Sequence, residues 1–169
     1  METFTVSFFG HRLLSDSFYT ERRLEKLVSR LLQKKEYVEF LVGRNGDFDI
    51  LVSSVVQRAK HKVRCDNSAL VLVLPYATAE FVNNENYFNE FYDEVEICPA
   101  SSGTHFKTAI QLRNMNMVDR SDLVIFYVER DSGGAYRTLK YAQKQKRKVL
   151  NLAVDPQTED LSNFPDISK

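Results

Sequence analysis

The sequence predicts an α/β fold: a Rossmann-like three-layer sandwich with a mainly parallel central sheet flanked by helices. Short, nearly continuous apolar runs recur along the chain, as they do in strands buried on both faces. Between them lie segments with apolar residues at helical spacing, and strands alternating with helices are the pattern of a parallel sheet and its crossover helices. The length, 169 residues with 43% hydrophobic content, suits one domain with one core. One domain is expected over residues 1–155, followed by a tail over 156–169.

The elements follow in chain order. Residues 4–9 are a first strand, and residues 19–33 a helix whose Leu24, Leu27, Val28 and Leu31 form one stripe. Residues 39–42 form a second strand and 49–60 a second helix, with Ile50, Leu51, Val55 and Ala59 on its apolar side. A third strand spans 70–74. A short helix over 84–91 precedes a weak strand over 95–97. Residues 106–119 carry the longest remaining helical pattern, 123–128 the most apolar strand, 134–144 a helix with Ala135, Leu139 and Ala142 on one side, and 149–152 a last strand. The tail has no period and is expected to be loop.

Twenty-three basic and 23 acidic residues give zero net charge, so neither a nucleic acid nor an anionic membrane is expected as partner. No apolar stretch approaches the roughly 20 residues of a membrane span, and a cytoplasmic protein is expected. Cys65 and Cys98 are too few for a disulfide framework and are not spaced for a metal. No cofactor or metal is expected.

In open parallel sheets ligands collect beyond the carboxyl ends of the strands. The loops there are Gly10-His11-Arg12, the segment from Gly43 through Arg44, Asn45 and Gly46 to Asp49, Pro75-Tyr76, and Glu129 to Gly134. Glycines let backbone approach a ligand, and Asp49 is placed to cap the next helix. Ser132-Gly133-Gly134 opens the helix after the most apolar strand, so its N–H groups should face the same cleft. Thr138, one turn on, adds a hydroxyl or packs. Arg113 falls on the apolar stripe of Phe106, Ala109, Ile110 and Met117, where a guanidinium needs an anionic partner or an exit to solvent. Asp119, Asp122 and Glu129 are the internal candidates and a ligand phosphate the external one. Asn114 bridges in either case. The aromatic segment over 80–93 suits core packing of a small helix, or a lid. No GxGxxG, Walker loop, GxSxG or HExxH is present.

These residues together resemble the SLOG superfamily, the Rossmann-like group that includes YpsA-like proteins, the DprA core and the Lonely Guy phosphoribohydrolases. The anchors are Phe8 to Arg12, the loop from Gly43 to Asp49, Val73 to Tyr76, and the run from Arg113 through Asp119-Arg120-Ser121-Asp122 into Ser132-Gly133-Gly134. The resemblance implies a nucleotide or nucleotide-derived ligand, ADP-ribose or NAD among them, with glycine loops around phosphate or ribose and Arg113 as an anion contact. The paired glutamates that follow the glycine turn in the Lonely Guy enzymes are replaced here by Leu139, Lys140 and Tyr141. Non-catalytic binding is therefore the leading expectation. The alternatives are an N-glycosidase using Asp49 or Glu129, and an interaction module with a vestigial cleft whose aromatic segment makes a homo-oligomer.

Overall fold

The structure, a computed structural model, describes residues 1–101 and 103–154. The tail expected from residue 156 lies outside the described residues. Six strands, β1 (Thr3–Gly10), β2 (Tyr37–Val42), β3 (Ser68–Leu74), β4 (Glu94–Ile97), β5 (Leu123–Tyr127) and β6 (Lys148–Asn151), form one sheet in the order β4-β3-β2-β1-β5-β6. Every pairing is parallel.

Alternation along the strands divides the core in two. Phe4, Val6 and Phe8 of β1 face helices α1 (Ser17–Lys34) and α2 (Asp47–Lys62), while Phe9 joins Val71, Val73, Val124 and Phe126 beneath α5 (Phe106–Asp119) and α6 (Gly134–Lys144). Burying each such side chain contributes about 1.5–3 kcal/mol. Among the described residues no helix is long and apolar enough to cross a membrane.

Two local readings change. The aromatic segment forms two short helices, α3 (Ala79–Asn83) and α4 (Glu85–Phe91), and Thr78 caps the first by accepting from the Phe81 N–H. Its rings go mainly inward: Phe88 and Tyr92 are buried in the core on the α1 and α2 side. Helix α2 begins at Asp47 with Gly46 at its cap, so Asp49 is the third helical residue, and its carboxylate reaches back to the Asn45 N–H at 2.8 Å.

The chain adds strands outward from β1 to β4, and α5 then carries it across to β5 on the other side of β1. Strand order reverses there. The crevice between the carboxyl ends of β1 and β5 is where such sheets usually receive a ligand.

Candidate functional site

Arg113 organises the floor of the site. It is 2% exposed, and its Nη1 donates to the Val73 carbonyl at 2.7 Å, its Nε to Asn114 Oδ1 at 2.8 Å. Asn114 Nδ2 continues to Thr138 Oγ1 at 3.2 Å, and that hydroxyl donates to the Gly134 carbonyl at 2.9 Å. A continuous buried polar chain thus runs from the end of β3 to the first turn of α6. Guanidinium has five donors in a fixed fork, and Nη2 has no hydrogen-bond partner among the described residues.

The charge opposite Arg113 is Asp49. Both lie beside Gly43, where a Cβ would stand 3.0 Å from Arg113 Nη1 and 3.3 Å from Asp49 Oδ2. Burial pushes the Asp49 carboxyl above its ordinary range, against the opposing pull of the Asn45 N–H and of Arg113. Burial likewise lowers Arg113, countered by Asp49. Arginine stays charged regardless. None of the three expected internal partners is the one used. Asp122 accepts from the Thr5 N–H, Asp119 from the Tyr141 hydroxyl, and Glu129 from Ser15 and Tyr127. Helical side chains tilt toward their own N-terminus, so Arg113 reaches the carboxyl edge of the sheet, whereas Asp119 and Asp122 sit near the opposite edge.

The glycines divide by what surrounds them. A Cβ on Gly10 would lie 2.4 Å from the Phe48 ring, and one on Gly46 would lie 2.4 Å from Arg12 Cα. These two let the loops after β1 and β2 close on each other, a contact sealed by Asp47 N–H donating to the Arg12 carbonyl at 2.8 Å. Gly133 and Gly134 have nothing within 4 Å of a Cβ, and Gly133 has φ +92°, a conformation that favours glycine. Together with Ser132 they are exposed. Helix α6 starts there with no side-chain cap and no acidic residue in its first turn, so its positive end faces open space.

The other expected site residues have further placements. Arg12 is exposed. Arg44 turns to α3 and α4: Nε donates to Glu80 at 3.0 Å, Nη1 to the Tyr92 hydroxyl at 3.1 Å, and the guanidinium lies 4.9 Å from the Phe88 ring centre. Tyr76 borders an open hollow of about 350 Å³ with Ile97 and Phe106. His11 is buried, and its Nε2 accepts from Glu129 N–H at 2.9 Å and Arg130 N–H at 3.3 Å. Glu129 accepts hydrogen bonds from the Ser15 and Tyr127 hydroxyls, and these hold its carboxyl below the usual range. Ser15 and Tyr127 were not expected here. A serine in a loop and a tyrosine in an apolar strand carry no signal until the fold brings them together.

This sheet and its helices match those of solved structures. DNA processing protein A from Helicobacter pylori superposes with a TM-score of 0.61 at 16% identity, over 86% of this chain and 63% of that one. The protein of the same name from Streptococcus pneumoniae gives 0.57 at 15% identity, over 86% and 49%. The chain shares its Rossmann-like fold with DNA processing protein A. It spans under two thirds of either neighbour. At these identities the likeness shows the Rossmann-like fold alone and says nothing of the YpsA-like branch. No family model and no curated protein matches the sequence.

One expectation is corrected. The Helicobacter pylori protein binds single-stranded DNA, so this fold is compatible with a nucleic-acid partner, contrary to the expectation drawn from zero net charge. The physical reason is that phosphate is recognised by local cations and N–H groups, and a sum over 46 charged residues says nothing about where they stand.

Proposed function

We propose that this chain binds a nucleotide-derived ligand through its anionic group at the Gly133-Gly134 turn, with NAD-like molecules and ADP-ribose among the candidates. The observation that carries the reading is the start of α6: exposed, uncapped, without an acidic residue, and tied by Thr138 and Asn114 to a buried arginine with an unused Nη2. A helix N-terminus so arranged lacks the negative charge that would complement it. A second reading has its own support: single-stranded DNA bound by a protein of the same fold presents the same phosphate chemistry on a strand.

The N-glycosidase alternative has weaker support. Asp49 is turned to Asn45 and Arg113, and Glu129 to Ser15 and Tyr127, so both candidate carboxylates are engaged by the protein itself.

The test is thermal denaturation with AMP, NAD, ADP-ribose and an oligo-dT strand, on the wild type and on Gly134→Ala. A ligand at about 100 times its Kd should raise Tm by roughly 5–10 °C, and Gly134→Ala should weaken it about tenfold, or 1.4 kcal/mol. Stabilisation by the mononucleotides supports the first reading, and stabilisation by the strand alone supports the second. Release of free base would favour the glycosidase. No shift with any of the four would remove the proposal.

A further inference from the structure

The crevice between β1 and β5, where this topology would ordinarily receive a ligand, is occupied by the protein's own side chains. His11 is the first residue beyond β1, and its backbone N–H donates to the Tyr127 carbonyl at 3.2 Å, extending the ladder between β1 and β5 by one step. The residue is 7% exposed. Nε2 receives the consecutive N–H groups of Glu129 and Arg130, at 2.9 and 3.3 Å. Two successive N–H groups aimed at one point form a concavity that usually takes an anion. Here the lone pair of a neutral imidazole fills it. A ring nitrogen accepting a hydrogen bond carries no proton, so the proton of neutral His11 is on Nδ1.

The same peptide is held from its other side. The Glu129 carboxylate accepts from the Ser15 and Tyr127 hydroxyls, which themselves lie 2.9 Å apart. Beyond Arg130 the chain is exposed from Asp131 to Gly134, where α6 begins. That exposed stretch is anchored at its upstream end in two ways, by the Glu129 carboxylate on Ser15 and Tyr127 and by the backbone N–H groups of residues 129 and 130 on His11.

We infer that His11 is a positioning residue that works as a proton-operated latch on the backbone of residues 129 and 130, fixing the start of the loop that leads to the Gly133 turn when neutral and freeing those two N–H groups when protonated. An imidazolium has N–H at both ring positions. On protonation Nε2 would point a hydrogen at two further N–H hydrogens, and both bonds would be lost. The charged groups acting on His11 among the described residues are Arg130, which opposes protonation, and Glu129, which favours it. Burial is the largest influence and, with Arg130, places the His11 pKa below its ordinary 6.5. The Ser15 and Tyr127 hydroxyls hold the Glu129 carboxyl below the usual range, and their bonds to it do not involve the imidazole. The latch depends on no particular ligand at Gly133.

The direct test is NMR on the full chain. Imidazole nitrogen shifts of His11 should report the Nδ1–H tautomer at pH 7.5 and a midpoint below 6.5. Protection factors of the Glu129 and Arg130 amides should fall in step with that titration, about tenfold per pH unit below the midpoint, because the neutral fraction falls at that rate. In His11→Gln the side-chain carbonyl accepts without titrating, so protection should persist and lose its dependence on pH. In His11→Ala both amides should be unprotected throughout. Protection in the wild type that ignores the His11 titration, or a tautomer with the proton on Nε2, would overturn the inference even where neither variant folds.

Discussion

At Gly43 the absence of a methyl group lets two opposite charges share the ground beside one backbone atom. A Cβ there would stand 3.0 Å from Arg113 Nη1 and would push the guanidinium off the Val73 carbonyl. Gly10 and Gly46 are stricter still, because the obstacles are the Phe48 ring and the Arg12 backbone at 2.4 Å. Overpacking of this kind costs about 1–3 kcal/mol. Gly134 is different, with open space on every side and no positive φ. Gly46→Ala should therefore lower stability by about 2 kcal/mol or more. Gly134→Ala should change it by under about 1 kcal/mol, with stabilisation the favoured sign because the unfolded chain loses freedom. Urea denaturation of the two variants checks this, and equal losses would mean that the glycines of the two loops serve the same purpose. The sequence shows five glycines near one sheet edge. Only coordinates separate those that admit a neighbour from those that face solvent.

The strands and long helices were legible because their apolar residues repeat with the period of the element that buries them, as in α1, where Leu24, Leu27, Val28 and Leu31 are all buried. Helix α3 was not legible, since five residues hold little more than one turn and its start rests on the Thr78 cap. Residues of the site were legible as types at loop positions, but their partners were not. Arg113 finds Asp49, 64 residues earlier in the chain, because β2 and β3 lie side by side. At the scale of the element, α6 is the informative case. Its first turn holds no acidic residue, and Arg137 donates its backbone N–H to the Gly133 carbonyl there. A positive charge at a positive helix end is unfavourable unless an anion is brought to it. Arg137→Glu should raise stability by about 0.5 kcal/mol in low salt. The same change should abolish stabilisation by any phosphate-bearing ligand of the turn. Denaturation with and without AMP reads both, and a variant that is less stable yet still responds to AMP would contradict the electrostatic reading of α6.

For the molecule as a whole, equal numbers of acids and bases hide groups whose ionisation is set by their surroundings, and two of these act on folding with opposite sign as pH falls. His11 has a lowered pKa in the folded state, so between that value and 6.5 the unfolded chain binds the extra proton and acidification favours unfolding. Asp49 has a raised pKa, so between 3.8 and that higher value it is the folded chain that binds the proton, and acidification favours folding. The first window opens at 6.5 and belongs to the latch on residues 129 and 130, while the second belongs to the buried pair beneath Gly43. Urea midpoints taken from pH 8 to pH 5.5 should therefore fall in the wild type once pH passes below 6.5. His11→Gln removes the titrating group while keeping an acceptor, and its midpoint should hold steady over the same interval. If the variant falls as steeply as the wild type, the acid sensitivity lies elsewhere and the His11 contact is not coupled to global stability. If the wild type instead rises through this interval, the Asp49 carboxyl dominates and its burial against Arg113 is the larger electrostatic strain in the fold.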